Sequence, residues 1–156
     1  MAKDLNVFDK EYGLLINGAW TSPGTLLDSY NPANGEALAK FTDATDADVD
    51  AAVAAAQEAF KTWRKTTATE RAAILNKIAD VIDENLELFA LQETLDNGKP
   101  IRETRAADIP LASDHFRYFA SVIRGEEGTA TQLDSEDLSI VLREPIGVVG
   151  QIIPWN

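Results

Sequence analysis

The feature that most constrains this chain is the apolar run Gly147-Val148-Val149-Gly150-Gln151-Ile152-Ile153, followed by Pro154-Trp155-Asn156. An apolar run bounded by glycine and proline reads as a strand buried on both faces. Such a strand needs cover above and below, which is an α/β arrangement. Asn156 would then stand just past the strand's carboxyl end, where open α/β sheets place their ligands. No sequence follows it to supply the second layer, so the run reads as half of a site.

At 156 residues the chain has the length of one ordinary domain, able to bury on the order of 70% of its unfolded surface. A hydrophobic fraction of 45% and a charged fraction of 26% are globular values. The formal charge of −12 argues against nucleic acid or an anionic membrane as a partner, since both call for a basic footprint. No apolar run is long enough to span a bilayer, and Met1-Ala2-Lys3-Asp4 opens no signal peptide. The expectation is therefore a cytoplasmic protein with no membrane partner. The sequence holds no cysteine, which removes disulfides, thiolate metal sites and thiol nucleophiles from these residues.

Residues 1–12 read as a polar lead-in. Leu14-Leu15-Ile16 runs into the turn signal Asn17-Gly18 with Ala19-Trp20 beyond, and Asn31-Pro32-Ala33-Asn34-Gly35 is a second turn before a short strand from Glu36 to Phe41. The middle is helical. Thr45 with Asp48, and Thr67 with Glu70, form capping boxes. The first opens a helix with Val49, Val53, Ala56, Phe60 and Trp63 on one face; the second opens one carrying Ile74, Ile78, Val81 and Ile82. After a break at 83–85, a third helix aligns Leu88, Leu91 and Leu95 and stops at Asn97-Gly98, with Pro100 beyond. Asp108 and Pro110 start a fourth, with Ile109, Ala112, Phe116, Phe119 and Ile123 facing inward. Residues 126–137 read as an acidic loop, and Leu138 to Leu142 as an exposed strand.

No complete active site can be read from the residue types alone. His115, between Asp114 and Phe116, has no serine or cysteine at a recognisable spacing and reads as structural or solvent-facing. There is no Gly-x-Ser-x-Gly elbow and no phosphate-cradling Gly-Lys-Ser/Thr loop. Gly147 and Gly150 do not form a dinucleotide fingerprint. The paired acids of 126–127 and 134–137 read as solvated loop.

What remains is an ordered set of motifs: Leu15-Ile16-Asn17-Gly18 with Trp20, Asn31-Pro32 with Gly35-Glu36, Glu93-Thr94-Leu95-Asp96, Asn97-Gly98-Lys99-Pro100, Arg143-Glu144-Pro145-Ile146-Gly147-Val148-Val149-Gly150, and Pro154-Trp155-Asn156. From about residue 13 onward this set resembles the opening stretch of the aldehyde dehydrogenase superfamily. The resemblance implies an α/β, aldehyde-dehydrogenase-like fold in three parts. Residues 1–125 would be the N-terminal part of the cofactor-binding domain, 126–145 part of a β-ribbon oligomerisation element, and 146–156 the first Rossmann-like strand with its asparagine.

The family oxidises aldehydes to carboxylic acids with NAD or NADP through a cysteine thiohemiacetal. The resemblance gives Asn156 the role of oxyanion donor, which suits a neutral amide N–H₂. It places the main chain around Ile152, Ile153 and Trp155 on the ribose side of the cofactor. It puts Leu111 on the wall of the aldehyde tunnel, with Asp114 and His115 nearby, although ordinary helix packing explains Leu111 nearly as well. Ser29 and Asp96 match positions that hold a structural cation in some members; Asp96 is equally a polar residue near a helix C-terminus. The ribbon implies a homodimer or homotetramer acting on a small aldehyde. The nucleophilic cysteine, the general-base glutamate, the cofactor glycine motif and the adenosine-side lysine are all absent, so the expectation is an N-terminal portion, inactive alone. The rival expectation is a non-catalytic assembly or interaction module.

Overall fold

A computed structural model describes residues 10–22 and 24–153. Its opening is built from short strands: β1 (Glu11–Tyr12), β2 (Leu15–Ile16), β3 (Ala19–Trp20), β4 (Leu26–Tyr30) and β5 (Ala37–Thr42). β1 lies parallel and β4 antiparallel to the central β5, while β2 and β3 pair by themselves. The β2–β3 connection is Asn17-Gly18 with φ of 52° and 76°. Two consecutive positive φ values match the right-handed twist of a two-residue hairpin, and asparagine and glycine tolerate them best. At the β4–β5 turn the side chain of Asn31 accepts a hydrogen bond from the Ala33 N–H at 2.9 Å. Residues 11–12 are thus paired strand rather than lead-in.

The helices α1 (Asp46–Trp63), α2 (Ala68–Glu84) and α3 (Leu86–Asn97) follow. Both expected capping boxes form: Thr45 and Thr67 accept from the N–H groups of Asp48 and Glu70, whose carboxylates accept from the two threonine N–H groups. Those hydrogen bonds from Thr45 and Thr67 hold the Asp48 and Glu70 carboxyls below their ordinary values. Gly98 closes α3 with φ of 79°, in the left-handed region.

The next helix differs from its expected form. It begins at Ile101 rather than near Asp108, as α4 (Ile101–Glu103), widens into a π-helical turn over Thr104–Asp108, and continues as α5 (Ile109–Val122). Pro110 is the reason. It has no N–H for the carbonyl four residues back, and its ring crowds that carbonyl. Widening the preceding turn, so that the Ile109 N–H reaches the Thr104 carbonyl, removes the conflict.

The core is a seam of small residues. Ala72 and Ala79 on α2 and Ser113 and Ala120 on α5 are buried, in each pair seven residues, or about two helical turns, apart. Ser113 Oγ lies 3.5 Å from the Ala79 carbonyl oxygen, so the helices approach nearly backbone to backbone. At the rim of this seam, Arg117 Nη1 meets Asp80 at 2.9 Å and Nη2 meets Asp83 at 2.5 Å. Phe119, expected inside, is 57% exposed and stacks edge-on against Tyr118 with ring centroids 5.2 Å apart. The seam admits small side chains, and they take the phase that the larger residue would need.

Beyond a short 3₁₀ turn (Ile123–Gly125), β6 (Thr129–Gln132) and β7 (Leu138–Val141) form an antiparallel hairpin. The expected strand at 138–142 therefore does have a partner in its own chain, inside the stretch read as loop, and every residue of the hairpin is exposed. Among the described residues, 146–153 pair with no strand. The expected Rossmann-like strand lacks a ladder because no neighbouring strand lies alongside it.

Candidate functional site

Among the described candidate site residues, two meet directly. Ser29 Oγ on β4 donates to Asp96 Oδ1 on α3 at 2.9 Å, across 67 positions of sequence. The hairpin turn at 31–35 and the Gly98 cap bring the two elements together, and Gly98 sits so close to Pro32 that an added Cβ would stand 2.9 Å from its Cγ. Among the described residues no group of three or more His, Cys, Asp or Glu gathers as a metal cage. Ser29 and Asp96 form a hydrogen-bonded pair between sheet and helix.

Leu111 lies on α5 and is 52% exposed. Asp114 and His115, three and four positions on, are exposed as well and share its side of the helix. This side faces away from the seam, because Ser113 and Ala120 take the buried one. Ordinary packing therefore does not account for Leu111 within these residues. Three further apolar side chains of the same helix, Tyr118, Phe119 and Val122, are also exposed.

Ile152 is 101% and Ile153 68% exposed, as expected for a run that has no ladder. Gly147 and Gly150 stand in open space, where an added Cβ would meet nothing within 4 Å. The described residues therefore form no phosphate cradle at this run; what they offer a nucleotide is main chain free of sheet pairing. Trp155 and Asn156 lie outside the described residues.

Two polar arrangements beside the site could not be read from sequence. Lys99 Nζ, just past the Gly98 cap, pairs with Asp108 Oδ2 at 2.7 Å. That hydrogen bond holds the lysine's pKa above its ordinary value. The second arrangement is the hydroxyl of Thr104, fully buried within the π turn, which lies 3.0 Å from the Ala90 carbonyl oxygen and 2.9 Å from Thr94 Oγ1. The Asp108-to-Pro110 stretch hints at a helix start, and nothing in its composition marks a bulge. No helix among the described residues is long and apolar enough to cross a membrane.

Helices packed beside a small sheet, a β-hairpin and an unpaired apolar run mark an α/β fold, and known proteins that resemble it identify the family. The family model for the "Aldehyde dehydrogenase family" matches residues 20–156. The chain is 49% identical over 153 residues to acetaldehyde dehydrogenase 2 of Cupriavidus necator, covering 97% of this chain and 30% of that protein. Among solved structures, an aldehyde dehydrogenase from Bacillus cereus (E194S mutant) superposes with a TM-score of 0.88 at 40% identity, over 93% of this chain and 30% of its own. PnpE, solved in complex with nicotinamide adenine dinucleotide, superposes with a TM-score of 0.82 at 38% identity, over 86% of this chain and 28% of its own. The chain belongs to the aldehyde dehydrogenase family, and it spans about 30% of the length of the curated relatives it matches.

Proposed function

We propose that these residues serve in an NAD(P)-dependent aldehyde dehydrogenase that oxidises a small aldehyde to a carboxylic acid through a cysteine thiohemiacetal. The observation that carries this is the match of the family model through residue 156, which takes in the Pro154-Trp155-Asn156 motif, together with the relative named for acetaldehyde. In this reading a thiolate attacks the aldehyde carbon, a C–S bond forms, and the carbonyl electrons move onto oxygen. Asn156 donates its side-chain N–H to that oxyanion. A neutral amide is suited to this because it donates at any working pH and adds no charge that must be desolvated.

Bound NAD or NADP would supply the hydride acceptor. The main chain at Ile152, Ile153 and Trp155 would line part of its ribose side, and the unpaired backbone of 152–153 is compatible with that role. The fit goes no further than main chain, since the glycines nearby enclose nothing. Leu111 would form part of the aldehyde tunnel wall; its exposure away from the α2–α5 seam supports this. Ser29 and Asp96 would carry a structural cation if one is held there. The β6–β7 hairpin, with its exposed edges, would pair with a neighbouring subunit to give a homodimer or homotetramer.

The chain of 156 residues contains no cysteine, so the covalent route has no nucleophile within it. We therefore expect no NADH production from acetaldehyde by this polypeptide alone. In a chain that carries the thiolate, Asn156→Ala should lower kcat on the order of 10²–10³-fold with little change in aldehyde KM. Measurable turnover by the 156-residue chain, or an N156A enzyme with undiminished kcat, contradicts the proposal.

A further inference from the structure

The helical run from Ile101 to Val122 carries one π turn, which Pro110 calls for and a buried hydroxyl ties to α3. Thr104 is 0% exposed. Its Oγ1 lies 3.0 Å from the Ala90 carbonyl oxygen, 3.2 Å from that of Ile101, and 2.9 Å from Thr94 Oγ1. With its one hydrogen given to a carbonyl, Thr104 accepts from Thr94, and the π turn is tied to α3 by both bonds.

The residue accommodated in the wider turn alters the rotational phase of everything after it, by about 100° relative to an uninterrupted α-helix. That phase puts Ser113 and Ala120 against α2 and leaves Leu111 outward. We infer that Thr104 is a positioning residue for the aldehyde-facing side of α5, fixing through the π turn where Leu111 stands. The inference rests on the reading of Leu111 as tunnel wall given above.

The test uses the full-length dehydrogenase and a series of straight-chain aldehydes from acetaldehyde to octanal. Thr104→Val keeps the shape and removes the hydroxyl. It should change the ratio of kcat/KM for octanal over acetaldehyde on the order of tenfold, chiefly through KM for the longer aldehyde. Thr104→Ser should restore the wild-type ratio. The double variant T104V/L111A should depart no further than L111A alone, since the two act through one contact surface. A T104V enzyme whose kcat/KM falls by the same factor for every aldehyde, or whose ratio is unchanged, overturns the inference, as does failure of T104S to rescue it. Should T104V not fold, Thr94→Val takes its place: it removes the donor to Thr104 and leaves the Ala90 bond. It should move the ratio in the same direction, and an unmoved ratio overturns the inference equally. An unmoved ratio in L111A defeats the tunnel reading itself; a moved ratio in L111A beside an unmoved one in T104V defeats the positioning role alone.

Discussion

Replacing Ala79 by leucine decides whether the α2–α5 seam is close-packed or merely close. Ala79 is 0% exposed, and the Ser113 hydroxyl lies 3.5 Å from its carbonyl oxygen. If the seam had room, the three added carbons would be buried and would stabilise the pair by about 2 kcal/mol, at ~0.8 kcal/mol per methylene. If the backbones are already in contact, those carbons must push α5 away or take a strained rotamer, which costs about 1–3 kcal/mol. The two cases differ in sign, so the measurement need not be fine. We expect destabilisation, because small residues recur at both ends of the seam: Ala72 and Ala120 are buried along with Ala79 and Ser113. Amide hydrogen exchange on α2 and α5 is the suitable assay, since it reads local opening without requiring one cooperative transition. Exchange should be faster by roughly fivefold to a hundredfold in A79L. The same change at exposed Ala51 on α1 should leave the α2–α5 amides as they were. Slower exchange in A79L would refute the close-packed seam.

Thr67→Ala removes the hydroxyl half of the capping box at the start of α2 and should cost about 1 kcal/mol, read as faster exchange in the first turn of that helix. Gly98→Ala forces an L side chain to a φ of 79° and sets its Cβ 2.9 Å from Pro32 Cγ; a loss of about 1–2 kcal/mol or more should appear as opening of the α3 end. The Asp83 carboxyl is held below its ordinary value by the Ser113 hydroxyl first and Arg117 second. A depressed folded pKa contributes stability above the unfolded value and loses it as pH falls through the folded one. The α2–α5 pair should therefore loosen as acid is added below about pH 4, and Arg117→Ala should flatten that dependence. An acid titration of the two helices in which R117A and wild type run parallel would contradict this.

How far the sequence disclosed this fold depends on what each element used as its signal. Caps and turns were plain, because Thr45 with Asp48, Thr67 with Glu70, Asn17-Gly18 and Gly98 each satisfy a local backbone demand with a residue chosen for it. The π turn was hidden, since Pro110 near a helix start and Pro110 just after a bulge look alike in one dimension. Phe119 misled for a related reason: periodicity weights large apolar residues, and this seam is made of small ones. β6 (Thr-Ala-Thr-Gln) has no apolar alternation to announce it and is a strand only because β7 pairs with it. The site was legible as motifs and not as contacts. Ser29 and Asp96 stand 67 residues apart, and Thr104 carries no mark in the sequence of the bonds it makes to α3.

The run from Gly147 to Ile153 has the composition of a buried strand and the surroundings of an exposed one, and side chains elsewhere share that conflict. Val49 and Trp63 on α1, Ile74 on α2, Leu111 on α5, Ile140 on β7 and Val149 in the run are all large, apolar and exposed. Among the described residues, the buried apolar side chains all lie in the α2–α5 seam and at Ala90 on α3. The remaining faces carry the apolar patterning of packed elements without the second layer that such patterning implies. Contacts made across those faces would supply the layer that their patterning calls for.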